Sequence, residues 1–238
     1  MPEVADVWLV VPTYDEADNI EALVMAARER LPDSRRILIV DDNSPDGTGR
    51  VADRLAAEHD DVEVLHRAAK EGLGTAYVAG FRRALEGGAR LVAQMDADFS
   101  HDPGHLPALV AAAMDADVVL GSRYVEGGGV DNWGPTRRLI SRVGGSYARH
   151  TLGIGIRDLT GGFKVLRREV LEAIDLATIS SRGYAFQVEV TYRALRRGFR
   201  VVEVPITFHE RRVGQSKMTA GIALEAALGV PAMRLRRR

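Results

Sequence analysis

Cysteine is absent from this sequence, which removes disulfides and thiolate metal centres and leaves carboxylates, histidines and carbonyls as the only ligands for a cation. Long apolar runs are missing too. None approaches the ~20 residues of a spanning helix, and the best stretch, 222–233, is interrupted by Glu225 and Pro231. The N-terminus, with Glu3 and Asp6 ahead of a strand-like run, lacks the basic start and apolar core of a secretory signal, so a cytoplasmic chain is expected. Neither sign of charge is in excess: 32 Lys and Arg face 33 Asp and Glu, for a net charge of -1, and no overall field invites nucleic acid. Only the end is locally basic, at Arg234, Arg236, Arg237 and Arg238. A chain of 238 residues suits one sizeable α/β domain rather than two large ones.

What the sequence does have is alternation. Short β-branched runs bounded by turn residues recur at 7–11, 37–40, 62–65, 91–95, 118–120 and 201–204. Between the first of them, apolar residues three and four apart predict helices over 17–31, 49–59 and 75–87, and further helices are expected over 141–152 and 168–174 and at the segment opened by Gly183. Strand-helix alternation of this kind predicts a doubly wound, mostly parallel sheet, whose ligands bind beyond the carboxyl ends of the strands.

The loops at those ends are acidic. They read Pro12-Thr13-Tyr14-Asp15-Glu16, Asp41-Asp42-Asn43-Ser44-Pro45-Asp46-Gly47 and Asp96-Ala97-Asp98-Phe99-Ser100-His101-Asp102-Pro103. Turn and cap chemistry explains any one of them, Asp46 and Asp102 in particular. It does not explain Asp96 and Asp98 together, because neighbouring carboxylates at the end of an apolar strand repel unless a cation compensates them. Such a pair can hold a divalent ion that bridges phosphate oxygens. Isolated cations, Arg123, Arg137, Lys164, Arg211 and Lys217, recur in glycine-containing turns, a pattern suited to phosphate. The glycine run 127–129 and the polar stretch after it read as a functional loop. His101, in a His-Asp-Pro turn at a helix start, is read as structural, and Trp133 suits either a lipid interface or a buried loop anchor.

Six ordered segments carry a resemblance: Val11-Pro12-Thr13-Tyr14-Asp15-Glu16, Val40-Asp41-Asp42-Asn43-Ser44-Pro45-Asp46-Gly47-Thr48, Gly72-Leu73-Gly74, Met95-Asp96-Ala97-Asp98, Gly121-Ser122-Arg123 and Gly214-Gln215-Ser216-Lys217. Together they resemble the dolichol-phosphate (polyprenol-phosphate) mannose synthases, inverting glycosyltransferases of the A-type (GT-A) fold, over about residues 7–218. The resemblance implies a Rossmann-like nucleotide-sugar-binding domain over 1–218; the chain departs from many relatives, which carry spanning helices after it, in having an apolar and basic stretch over 219–238 that is expected to form an amphipathic tail. It implies that Pro12, Tyr14, Glu16, Val40 and Asp42 hold the nucleoside, that Asp96, Ala97 and Asp98 form the diphosphate segment with Mg2+ or Mn2+ on Asp96 and Asp98, and that Lys164, Arg211 and Lys217 face the donor diphosphate and sugar. Ser100 stands at a position that often carries a further ligand, where relatives frequently have Gln. Arg123, Arg137 and Ser141 match positions that grip the acceptor phosphate, and Asp98, Arg123 and Lys217 are the catalytic set.

The implied reaction takes mannose from GDP-mannose to a polyprenyl monophosphate on the cytoplasmic face of a membrane. An anionic acceptor needs no general base. The chain would sit there peripherally, through 219–238 or through an integral membrane anchor protein. Three other readings stay open. A UDP-glucose or other hexosyl donor would use the same framework; a nucleotidyltransferase would need a glycine-rich basic loop after the first strand, where this chain has Tyr14-Asp15-Glu16; a non-catalytic sugar-binding module would keep its affinity after Asp98→Ala.

Overall fold

The computed structural model describes residues 7–179, 181, 183–210 and 229–234. In chain order the elements are β1 (Val7–Thr13), α1 (Ala17–Arg28), β2 (Arg35–Asp41), α2 (Thr48–Glu58), β3 (Val62–His66), α3 (Leu73–Glu86), β4 (Leu91–Gln94), α4 (Leu106–Ala112), β5 (Val118–Ser122), β6 (Gly129–Val130), α5 (Pro135–Leu152), β7 (Lys164–Arg167), α6 (Arg168–Ala173), α7 (Gly183–Arg196), β8 (Val201–Pro205) and β9 (Thr207–Phe208). Each strand read from the sequence is present. The main sheet has the order β3-β2-β1-β4-β7-β5-β8, and β6 and β9 form a short second sheet.

Central strands β1 and β2 are buried on both faces, which is why they read as unbroken apolar runs rather than as alternation. Val11, Ile37 and Ile39 join α1 and α2 in one core layer. Val10, Leu38 and Val40 join α3 and α7 in the other. Close approach of α3 to the sheet depends on Gly80, where an added Cβ would stand 2.4 Å from Val10 Cγ1. Strand order reverses between β1 and β4, so the crevice for a ligand opens where their carboxyl ends diverge.

α4, β6 and β9 form where no element was expected, and β7 and α5 depart from what was. β7 pairs antiparallel with both β4 and β5, in a stretch read as a loop leading into a helix. α5 starts at Pro135, six residues before the expected 141, because Pro135 occupies the first helical turn after the extended cap Gly134. Within the expected tail, Val230 and Met233 pack with Ala148 and Leu152 of α5 and Val188 and Tyr192 of α7. Among the described residues no helix is long and apolar enough to cross a membrane.

Candidate active site

At the end of β1, Pro12, Tyr14 and Glu16 lie half-buried along one run. Asp46 fastens that run to the next loop: its carboxylate accepts from Ala17 N at 3.0 Å and from Thr48 Oγ1 at 2.6 Å, while Glu16 N donates to Thr48 Oγ1 at 3.0 Å. Asp41 is likewise structural, accepting from Ser44 Oγ at 2.5 Å and Thr13 Oγ1 at 3.3 Å. Asp42 points elsewhere, into an ion pair with Arg67, which also pairs with Glu71. Burial raises the Asp42 carboxyl above its ordinary range, and Arg67 opposes that shift. Lys70 Nζ stands 3.4 Å over the Tyr14 ring. Tyr14 and Asp42 are thus both tied to the loop before α3, through Lys70 and Arg67. Val40 contributes no side chain there, since its isopropyl group is in the core; only its carbonyl, accepting from Thr13 Oγ1 at 3.4 Å, faces this edge.

Past the end of β4, Asp96, Ala97 and Asp98 turn sharply. Asp98 is buried and accepts from Ser100 N at 3.0 Å, with Phe99 between them at a φ of 57°. Tyr77 of α3 donates to Asp96 Oδ1 at 3.1 Å. Gly162 lies against the same carboxylate, an added Cβ being 3.3 Å from Asp96 Oδ2, so this position admits little more than a backbone. Burial, and then the charge on Asp96, push the Tyr77 hydroxyl well above its ordinary pKa, keeping it a donor. His101 is the structural residue expected: buried, 5.2 Å from the Phe163 ring and 5.3 Å from that of Phe208, with its pKa lowered mainly by burial. Asp96 and Asp98 supply two hard oxygen donors, and among the described residues no third His, Cys, Asp or Glu joins them in a cluster able to hold a metal ion. That donor set suits an ion such as Mg2+, which takes one or two carboxylates and completes its shell with substrate phosphate and water.

The acceptor candidates also converge. Arg123 is buried, its Nε and Nη2 donating to Asp158 Oδ2 and Oδ1 at 2.7 and 2.6 Å, and its Nη2 to Thr160 Oγ1 at 3.0 Å. Arg137 stacks 4.2 Å from the Trp133 ring, against which Arg123 lies at 5.6 Å. Ser141 accepts from Tyr124 Oη at 2.6 Å. Trp133 is therefore the buried loop anchor of the two alternatives, 8 % exposed and edge-on to Phe208.

Lys164 corrects an expectation. It does not face the donor: it is fully buried on β7, and its Nζ donates to Gln187 O at 2.7 Å and Thr191 Oγ1 at 3.0 Å, inside the packing of β7 on α7. Strand alternation turns it inward, away from the loop that Gly161 and Gly162 form. Arg211 and Lys217 lie outside the described residues. Missed from the sequence were Asp158, Arg67 and Tyr77, which act through partners 35, 25 and 19 residues away and leave no local signal.

A mostly parallel sheet that ends in these acidic loops, with a carboxylate pair and a buried arginine beyond its strands, has the architecture of a nucleotide-sugar-handling enzyme of the GT-A fold. The comparisons narrow the class: residues 8–175 match Glycosyl transferase family 2, and the chain belongs to that family. An undecaprenyl-phosphate mannosyltransferase of Micrococcus luteus is 49 % identical over 224 residues, covering 94 % of this chain and 92 % of that protein. A polyprenol monophosphomannose synthase of Mycolicibacterium smegmatis is 49 % identical over 225 residues, covering 93 % and 84 %. Among solved structures, glucosyl-3-phosphoglycerate synthase of Mycobacterium tuberculosis, in complex with Mn2+, uridine diphosphate and phosphoglyceric acid, shares the fold at a TM-score of 0.71 and 15 % identity, over 98 % of this chain and 79 % of that one.

Proposed function

We propose that this glycosyltransferase moves a mannosyl residue from GDP-mannose to a polyprenyl monophosphate, with inversion, as a peripheral protein on the cytoplasmic face of a membrane. Two relatives at 49 % identity, both named for mannosyl transfer onto a polyprenyl phosphate, support the substrate pair. The observation that carries the reading is the adjacency of two unlike subsites. The paired carboxylates end β4, and a buried arginine with Ser141 and Arg137 beside it follows β5.

Asp96 and Asp98 are the residues that would hold a divalent cation, Mg2+ or Mn2+, whose contribution when bound is to offset the charge of the departing nucleoside diphosphate. Tyr77 holds Asp96 toward the crevice, and the turn at Ser100 N fixes Asp98. Pro12, Tyr14, Glu16, Asp42 and the Val40 carbonyl frame the nucleoside, and Ala97 keeps the wall beside the diphosphate small. Arg211 and Lys217, outside the described residues, are assigned to the donor diphosphate. On the acceptor side Arg123, Arg137 and Ser141 orient a phosphate monoester. Its second pKa is about 6, so it arrives as an anion near neutral pH and needs no base. Asp158 matters here. By balancing the arginine charge it leaves Arg123 able to align the phosphate without fully quenching its nucleophilic oxygen. A single in-line displacement then inverts an α-linked donor to a β-linked product.

The test incubates the purified full chain with labelled GDP-mannose or UDP-glucose, a polyprenyl phosphate, and Mg2+ or Mn2+, and counts label extracted with lipid. Transfer from GDP-mannose that chelator and Asp98→Ala both abolish is expected. Label from UDP-glucose alone would replace the donor assigned here, and transfer that survives excess chelator would refute the metal.

A further inference from the structure

The two arginines assigned to the acceptor phosphate each meet a carboxylate already, and the two carboxylates are held very differently. Asp158 is fully buried and locked on Arg123: besides the guanidinium contacts at 2.7 and 2.6 Å it accepts from Arg123 N at 2.9 Å. Glu210 meets Arg137, in the first turn of α5, through one contact, Nη1 to Oε1 at 2.9 Å, and its side chain is 51 % exposed. An exposed pair of this kind contributes little to stability and is easily exchanged. Its place is nevertheless fixed. The segment ahead of Glu210 is strapped to the site by the pairing of β9 with β6, by His209 N donating to Ser100 O at 3.0 Å and by Asp131 N donating to Phe208 O at 2.8 Å. Backbone contacts that do not depend on the ion pair therefore carry the Glu210 carboxylate to Arg137. Beside the pair, the Trp133 ring on which Arg137 stacks has its Nε1 buried with no hydrogen-bond partner, so the cluster is one acceptor short as it stands.

We propose that Glu210 is an exchangeable counter-ion of the acceptor site: its carboxylate occupies Arg137 until a phosphate monoester takes its place, and returns when the product phosphodiester leaves. The proposal rests on the polyprenyl-phosphate reading and deepens it, adding a residue that sets how tightly the lipid phosphate is held. A carboxylate suits the exchange, since it presents oxygens to a guanidinium fork as a phosphate does but carries a single charge. A phosphate monoester carries about -1.5 to -2 near neutral pH, so the substrate prevails over the carboxylate. Asp158 stays on Arg123 throughout, and Arg137 alone changes partner. Substrate and product displace the same carboxylate, which weakens both by one factor and hastens release of the product.

The experiment titrates the full chain and Glu210→Gln calorimetrically with farnesyl phosphate, a short phosphate monoester, and with mannosyl farnesyl phosphate, the corresponding diester. Glutamine keeps the shape of the side chain and removes its charge, and the pair is exposed, so circular dichroism and melting temperature are expected to be unchanged. Glu210→Gln is expected to bind both ligands about two- to fivefold more tightly than wild type, each by the same factor. In turnover the acceptor KM falls while the donor KM stays. In an Arg137→Ala background the same substitution is expected to change nothing further. Weaker binding by Glu210→Gln would make Glu210 an aid that orients Arg137, and equal binding would leave an idle surface pair. Tightening that persists without Arg137 would place the effect elsewhere; each of these three results overturns the proposal. Binding of the monoester by neither protein would overturn it together with the acceptor site. The titration is read without turnover, so the expected shift in affinity with no label reaching lipid would strike the proposed transfer and leave the counter-ion standing.

Discussion

Replacing Lys164 with methionine removes a cation from a place where water cannot reach it. Its Nζ is fully buried, and burial lowers its pKa from 10.5 to about 7, with Asp158 opposing weakly. Between about pH 7 and 10.5 the unfolded chain carries a proton that the folded chain has given up, so wild-type stability rises with pH across that window. Below it both states are protonated and the folded chain bears the full cost of the buried charge, at most about 5 kcal/mol at about 1.4 kcal/mol per pH unit. Methionine escapes that cost but forfeits hydrogen bonds to Gln187 O and Thr191 Oγ1, about 1 kcal/mol each. Gln187 O is not orphaned, since Thr191 Oγ1 still donates to it at 3.1 Å. Lys164→Met is therefore expected to be more stable than wild type by up to about 3 kcal/mol near pH 6.5, with the advantage gone by about pH 9. Urea unfolding of both proteins at a series of pH values measures the difference directly, and titrations common to the two cancel. Parallel pH profiles, or a variant that is the weaker protein at the acid end, would refute the reasoning. A large rise in the donor KM with the stability profile as expected would return Lys164 to the donor site.

Asp158→Ala strands the buried Arg123 guanidinium and is expected to cost about 3–5 kcal/mol in urea unfolding, with a raised acceptor KM in whatever folds. Tyr77→Phe removes the donor that aims Asp96; titration with Mn2+ in the presence of nucleoside diphosphate is expected to show about tenfold weaker binding, with a far smaller change in stability. Gly80→Ala puts a methyl group 2.4 Å from Val10 Cγ1 and 3.1 Å from Val40 Cγ2, and a loss of about 1–3 kcal/mol is expected on thermal or chemical unfolding.

The features legible in the sequence are those that local pattern controls. Apolar runs such as Val7–Thr13 and Arg35–Asp41 became buried parallel strands, and strand polarity alone carried Asp42, Asp96 and Asp98 to the same edge of the sheet. Long-range pairing was the hidden part. β7 has only Val165 and Leu166 as apolar residues, too few for a strand signal, and exists because Gln94↔Lys164 and Leu120↔Lys164 register it between β4 and β5. That insertion turned Lys164 from an expected donor contact into a core residue. The same limit hid Asp158, an unremarkable acid in sequence that is the counter-charge of Arg123 in the fold.

β7 also explains how the two subsites come to be adjacent. In a purely parallel arrangement β5 would lie directly beside β4, and the Arg123 loop would crowd the Asp96 turn. With β7 between them, the two carboxyl ends stand one strand further apart, about 4.8 Å per spacing. The chain entering β7 from the opposite direction fills part of that gap with Gly161 and Gly162, the backbone against which the Asp96 carboxylate rests. Gln94 secures this turn from below, donating to Gly162 O at 2.8 Å and to Gln187 Oε1 at 2.7 Å, so α7, β4 and the glycine pair move as one unit. Separation set by a strand and floored by glycine suits the proposed reaction, in which two anionic groups, a leaving diphosphate and an attacking phosphate, must approach one carbon from opposite sides without meeting each other.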